Sequence, residues 1–307
     1  MNNDATMSFD AFRPYLMGVA YRMLGTWSDA EDAVQGAWLR GWERAAAGGV
    51  EQPRAWWTRV VVRECLDARE RSARARETYV GPWLPEPLGP LAFAPLWDAT
   101  RTPAEQQTLR LGMLRLMQSL TPLELAAFLL RDVFDDDYGA IAQVLERDEA
   151  AVRQLVRRAR QHLSSAPTRF VVDRPTHESM LQAFAQAAAI GDLDAIRRLL
   201  HTHCTARTDG GGTVSAATRP ITGAHNVARF YVGLARLMAR NGDVVDMRMI
   251  DANGLPGLGF FAEDGSCETV LQLVLGVGGD GEGGDGGEGG ALVWEVLGVR
   301  GGKVGVG

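Results

Sequence analysis

Arg153, Gln154, Arg157, Arg158 and Arg160 fall in a short stretch, EAAVRQLVRRARQHL, whose apolar residues Val152, Leu155 and Val156 recur at helical spacing. A helix buried on that stripe leaves guanidinium and amide groups outward. Such groups read base edges in a major groove and hold phosphates. A solvated basic helix in an ordinary bundle has the same composition, so the neighbouring residues must decide. A second set, Arg54, Trp56, Trp57, Arg59 and Arg63, interleaves aromatic rings with cations near a helix start. Rings and guanidinium planes stack on unpaired bases. Adjacent positions face different directions, so at least one of the two tryptophans belongs to a core. Asp29, Asp32 and Gln35 share one helical side, with Trp38 and Trp42 spaced i, i+4. Carboxylates beside aromatics suit a specific protein partner. Buried tryptophans with solvated acids would give the same pattern.

These residues need helices to hold them. Ile141, Ala142, Val144 and Leu145 give a first short helix its packing face, and Glu146-Arg147-Asp148 form a polar turn. Asp148 is placed to cap the arginine-bearing helix, and Glu149 suits its first turn. The pair therefore has a helix-turn-helix pattern. Residues 8–75 are helical, with Phe9, Phe12, Leu16, Val19, Ala20 and Met23 in one stripe. Ser28 or Asp29 is the expected cap of a second helix that stops at Gly48-Gly49, and Gln52-Pro53 opens a third. Residues 79–103 hold six prolines and cannot form a continuous helix. Helices resume at Pro103 and run to about Leu163, with Ser164–Pro175 as a second boundary.

Beyond that boundary the pattern changes. His177–Leu200 is an amphipathic helical pair broken at Gly191-Asp192. Strand-like segments from Thr205 onward are separated by DGGG at 209–212, NGLPG at 253–257 and EDG at 263–265. Residues 276–290 contain ten glycines and four acids and should form a flexible loop, after which 291–300 supplies a last strand. The fold class expected is multidomain: two all-α units followed by an α+β domain.

The chain of 307 residues carries a net charge of −6, which argues against coating DNA through bulk charge. Charge is uneven, however. Residues 54–76 hold seven arginines against three acids, and 150–166 hold four arginines and no acid. Asp132 and Asp135–Asp137 form an acidic knot between them. Two basic surfaces in an acidic protein suggest two nucleic-acid contacts and a protein partner. Lys303 is the only lysine, a mark of codon bias in a GC-rich genome. The start has no basic, apolar signal pattern, and no run approaches a membrane span. Cys65, Cys204 and Cys267 are odd in number and scattered. A reducing, cytoplasmic setting without membrane attachment is expected.

The strings FRPYLMGVAYRMLGTWSDAEDAVQGAWLRGW (12–42) and PRAWWTRVVVRECLDARERS (53–72), with the helix-turn-helix, resemble the extracytoplasmic-function (ECF) sigma factors of the sigma-70 family. RETYVGPWLPEP (76–87), paired with DGGG and NGLPG, resembles the ECF41-type subgroup, which carries a fused SnoaL-like, NTF2-fold domain. The resemblance implies a sigma-2 unit at 8–75, a linker at 76–102, a sigma-4 unit at 103–166 and an NTF2-like regulatory domain at 176–307. It implies that residues 29–42 (Asp29, Asp32, Gln35, Trp38 and Trp42) dock on the β′ clamp helices of core RNA polymerase, with the β flap as a further partner. It assigns −35 DNA to Glu149, Ala150, Arg153, Gln154, Arg157, Arg158 and Arg160. It assigns −10 DNA to Arg54, Trp56, Trp57, Arg59, Arg63, Arg69, Arg71 and Arg74, with Ala47–Gln52 as the pocket for one flipped base. Trp83, Leu84, Pro85, Glu86 and Pro87 of the linker are expected to meet Asp209, Gly210, Gly211, Gly212, Asn253, Gly254 and Pro256. The C-terminal domain then regulates in cis, with no separate anti-sigma factor required.

Three departures from the family stand out. Glu146 occupies a turn position where the family commonly has Gly, and Glu64 replaces a usually neutral polar residue. The chain ends in Arg300-Gly301-Gly302-Lys303-Val304 where members have an Asn-Pro-Asp-Lys-like sequence.

His201-Thr202-His203-Cys204 resembles a metal cluster, but adjacent residues do not converge easily, so no metal or other cofactor is expected. Asp209, His225 and Asp251 are the residue types of an acid/base cavity, though one sequence does not bring them together. No catalytic residue is assigned. The sequence is also compatible with two other readings: a one-component DNA-binding regulator with a ligand-sensing domain, and an isomerase or cyclase fused to a DNA-binding module.

Overall fold

A computed structural model of the chain describes residues 2–47, 50, 52–76, 82–90, 96, 107–164, 172–211, 216–241, 246–277 and 291–300. The chain divides into two compact units, residues 1–79 with 92–166 and residues 80–91 with 167–307. The division does not follow the order of the sequence, because the proline-rich stretch packs with the C-terminal unit.

Unit 1 begins with α1 (Asn2–Leu24), α2 (Trp27–Ala46) and α3 (Pro53–Arg76). The expected α1 stripe is buried at Phe9, Leu16, Val19, Ala20 and Met23. The cap of α2 is Thr26 and not Ser28 or Asp29. Thr26 is extended, and its hydroxyl accepts from the Asp29 N–H at 3.3 Å. Gly25, at φ 85°, ends α1 immediately before it, so the second helix starts earlier than composition suggested. Among the described residues Trp57 is the largest fully buried side chain, with rings of Phe9 and Trp56 each 4.6 Å away and Trp38 at 5.7 Å. Gly41 makes this packing possible, since a Cβ there would lie 2.6 Å from both Trp56 and Trp57.

The second half of unit 1 comprises α4 (Leu111–Met117), α5 (Pro122–Phe128), α6 (Tyr138–Leu145) and α7 (Glu149–Ser164). Thr121 and Glu124 form a reciprocal capping box at the start of α5. Its end widens into a π turn, Leu129–Val133, where the Phe134 N–H reaches the Leu129 carbonyl at 3.0 Å. The two halves share a core. Arg22 of α1 is fully buried, donating to the Thr108 hydroxyl at 2.9 Å and to the Gly18 carbonyl at 3.0 Å. Its guanidinium also lies 5.2 Å from the Phe134 ring centre. A buried arginine is tolerated only when so satisfied.

Unit 2 is an α+β domain: α8 (Arg174–Ile190), α9 (Leu193–Leu199) and α10 (Ala224–Asn241) pack on a six-stranded sheet. The strands are β1 (Leu200–Asp209), β2 (Ile221–Thr222), β3 (Asp246–Ala252), β4 (Leu255–Phe261), β5 (Cys267–Val277) and β6 (Ala291–Arg300), in the order β2-β1-β6-β5-β4-β3. Among the described residues only the β1/β6 pair is parallel. Phe184, Leu181, Tyr231 and Val227 of the helices meet Leu258, Leu271, Leu273, Val293 and Val296 of the sheet. The break at Gly191-Asp192 falls where expected. Gly191, at φ 79°, ends α8, and the Asp192 carboxylate accepts from the Ala195 N–H at 2.8 Å. The first long strand begins at Leu200, earlier than the expected Thr205, because β1 is bulged between these two residues and its first part still pairs with β6. Most of the Gly-rich segment, 278–290, lies outside the described residues, as do 301–307.

Candidate nucleic-acid interface

The helix α7 presents the surface its sequence implied. Val152, Leu155, Val156, Ala159 and Leu163 are buried, while Glu149, Ala150, Arg153, Gln154, Arg157, Arg158 and Arg160 are exposed. Asp148 caps the helix, its carboxylate accepting from the Ala151 N–H at 2.7 Å. The exposed residues are not equivalent. Ala150, Arg153, Gln154 and Arg157 line one face at i, i+3, i+4 and i+7. Arg153 is steadied there by Glu149 at 2.8 Å and by the Tyr138 ring, 5.1 Å away. Arg160 turns back to make two bonds to Asp132, at 2.8 and 2.5 Å, and Arg158 lies 3.6 Å from the buried Glu124. Among the described residues Arg157 is in no ion pair. The open face of α7 is therefore narrower than the row of arginines suggested.

Along α3 the expected residues separate by burial. Trp56 is half-buried, but Trp57 is only 1% exposed and has no face free to stack on a base. Its place among the −10 contacts is corrected to the core. Arg69 is likewise structural: it donates to the Met23 carbonyl at 2.6 Å and to the Leu120 carbonyl at 3.4 Å, closing the ends of two helical segments. Arg54 lies over the Tyr15 ring at 4.4 Å and 3.9 Å from Asp136. Arg71 is exposed and bonds the Asp67 carbonyl at 3.3 Å. The Arg74 side chain lies outside the described residues, as do Gly48, Gly49 and Glu51 of the expected base pocket.

Arg59 and Arg63 both reach Glu146, at 2.6 and 3.2 Å. Glu146 ends α6 in the left-handed conformation, φ 54° and ψ 48°, which strains an L residue and suits glycine. Hydrogen bonding from Arg59, with the charge of Arg63, holds its carboxyl below the usual range. Beside this contact lies a cleft of about 410 Å³, lined in part by Arg59, Arg63, Glu70, Pro122, Glu146 and Arg147.

The α2 surface keeps Asp29, Asp32, Gln35 and Trp42 exposed, while Trp38 is half-buried against Phe9. Glu64 is buried and paired with Arg40 at 2.5 Å, and burial pushes its carboxyl above the usual range although Arg40 opposes this. Gly36 gives it room, since a Cβ there would lie 3.3 Å from the carboxylate.

In unit 2 the proline-rich stretch is gripped at two points. The Asp209 carboxylate accepts from the Leu84 N–H at 2.7 Å and, through its other oxygen, from the Gly211 N–H at 2.9 Å. Asn253 pairs reciprocally with Leu88: its side-chain oxygen accepts from the Leu88 N–H at 2.8 Å, and its own N–H donates to the Leu88 carbonyl at 2.9 Å. Asn253 and Gly254, at φ 52° and 74°, form the two-residue turn between β3 and β4. Leu84, Pro85, Pro87 and Leu88 are buried, whereas Trp83 and Glu86 are half-buried. Gly212 lies outside the described residues.

Sequence reasoning missed Gln272. It is 1% exposed and donates to the Ala252 carbonyl at 2.9 Å, bracing the turn that presents Asn253. A lone amide in the apolar strand CETVLQLVLGV was the available signal. Cys204 is buried and its thiol is pushed up to about 12 by desolvation, while the ring of half-buried His201 lies 5.7 Å from that of exposed His203. Among the described residues no group of three metal-ligating side chains comes together. Asp251 is held by Arg174 at 2.8 Å and by Gly254, and His225 is exposed.

Residues 9–75 match the family described as Sigma-70 region 2, and residues 110–163 the family described as Sigma-70, region 4. The chain is 41% identical to the ECF RNA polymerase sigma factor SigJ of Mycobacterium tuberculosis over 229 residues, 74% of this chain and 72% of that protein. It is 29% identical to the ECF RNA polymerase sigma factor SigG of the same organism over 293 residues, 88% of this chain and 76% of that protein. The crystal structure of M. tuberculosis SigJ aligns with a TM-score of 0.69 and covers 96% of each chain. Identity over this longer alignment is 30%. The chain belongs to the extracytoplasmic-function RNA polymerase sigma factors of the sigma-70 family.

Proposed function

We propose that the chain binds core RNA polymerase and directs it to promoters, acting without catalysis of its own. The exposed face of α7, with Arg153, Gln154 and Arg157 in a row, is the observation that carries the DNA reading. On this reading residues 103–166 take the −35 duplex. Residues 8–75 take the polymerase clamp through Asp29, Asp32, Gln35 and Trp42, and the −10 region through Arg54, Trp56, Arg59, Arg63 and Arg71. Arg157→Ala should weaken holoenzyme binding to a duplex from the chain's own upstream region about tenfold, corresponding to ~1.4 kcal/mol, with a shallower salt dependence. Fluorescence anisotropy across a salt series checks this. Unchanged affinity would remove α7 from the interface.

Residues 176–307 regulate in cis through their hold on residues 82–90, no separate anti-sigma factor is required, and the protein works in the cytoplasm. Among the described residues no helix is long and apolar enough to cross a membrane. Deleting residues 167–307 strips the linker of the partners of Leu84 and Leu88. Gel filtration of the truncated chain should still give co-elution with core polymerase, while run-off transcription gives an altered promoter output. Unaltered output would sink the regulatory role and leave the sigma assignment standing.

A further inference from the structure

We propose that Glu146 is a built-in competitor for DNA phosphate, occupying Arg59 and Arg63 until unit 1 opens at this contact. The inference rests on the reading that these two arginines meet DNA, and it adds a regulator of that site. Three observations carry it. First, a single carboxylate bonds two guanidinium groups of α3, at 2.6 and 3.2 Å, from a position more than eighty residues away in sequence. Both bonds end on the same carboxylate oxygen, Oε1. A phosphate oxygen is an anionic acceptor of the same kind, so the two compete for these guanidinium groups. Second, the carboxylate stands at the tip of the helix-turn-helix turn, in a backbone conformation that disfavours any side chain with a Cβ. The turn alone would be better served by glycine, so the side chain's contribution must come from its partners. Third, all three groups border the open cleft between α3 and the helix-turn-helix, where solvent and ligand have access.

The contact is exposed and ionic, so it is weak individually and sensitive to salt. That suits a clasp which DNA or polymerase must displace. While it is closed, the arginines of α3 and the turn before α7 are tied to each other, and neither is fully available.

The test uses the full-length chain and a fluorescein-labelled single-stranded 20-mer of mixed sequence at low salt. Glu146→Gln removes the charge and keeps the backbone strain, whereas Glu146→Gly removes both. Each should tighten binding about fivefold, an advantage that disappears in high salt. Glu70→Gln is the matched control, because Glu70 lines the same cleft on α3. It should change binding less than twofold. Arg59→Ala and Arg63→Ala should weaken binding in either background. If Glu146→Gln and Glu146→Gly bind no better than Glu70→Gln while the arginine variants weaken binding, the clasp is wrong and the DNA reading survives. If the arginine variants bind as the parent does, the DNA reading of α3 falls and takes the clasp with it.

Discussion

The double substitution Asp209→Ala/Asn253→Ala is expected to release residues 82–90 from the rest of unit 2. Asp209 accepts from Leu84 and Asn253 from Leu88, both N–H groups being buried. Leaving a buried N–H without its acceptor costs ~1–3 kcal/mol, so the two together cost about 4 kcal/mol. Detachment caps the penalty, because a freed N–H hydrates. The loss then becomes that of burying Leu84 and Leu88, about 1.5–3 kcal/mol each. Both routes converge on the same energy. Hydrogen exchange at the Leu84 and Leu88 amides should therefore accelerate by about a thousandfold, while amides of β5 keep their protection. Equal protection in variant and parent would mean that the linker is held by something other than these two side chains.

Trp57→Ala should be the most damaging single change in unit 1. The indole is 1% exposed and sits against Phe9, Trp38 and Trp56, so its removal opens a large apolar cavity. Removing a buried aromatic side chain costs ~3–5 kcal/mol, which lowers the unfolding midpoint of a unit this size by about 12 °C. Differential scanning calorimetry checks the shift. Trp56→Ala is the instructive partner. Its ring is half-buried, so the midpoint should move much less while binding to single-stranded DNA weakens. Similar calorimetric losses for both variants would contradict the separation of core and DNA roles within this dipeptide.

What could be read from the sequence was whatever is local and periodic. The buried stripe of α7, its Asp148 cap and the break at Gly191-Asp192 depend only on nearby residues, and the structure places them where composition did. The identity of the core tryptophan was also within reach. Trp57, Val61 and Cys65 fall at i, i+4 and i+8, and all three are buried, whereas Trp56 is off that line. Arg160 and Arg69 were not decidable in this way. Each is held by groups 28 to 51 residues distant, so an exposed-looking arginine turned out to close a structural contact. The DGGG and WLPEP strings announced a meeting of linker and C-terminal unit. Its atoms were hidden, because the linker answers through main-chain N–H groups of Leu84 and Leu88, the second outside the motif. Glu146 stood out as an unusual residue for a turn, but its partners lie on another helix and only the fold reveals them.

The central claim, that this chain is a promoter-specificity subunit, is tested most directly by run-off transcription. Core RNA polymerase from a GC-rich bacterium is combined with the purified chain and a template carrying the chain's own upstream region. A defined transcript should appear only when the chain is added, and it should fall when Arg157 is replaced by alanine. No transcript, together with failure to co-elute with core polymerase, would contradict the account and leave a regulator that binds DNA alone.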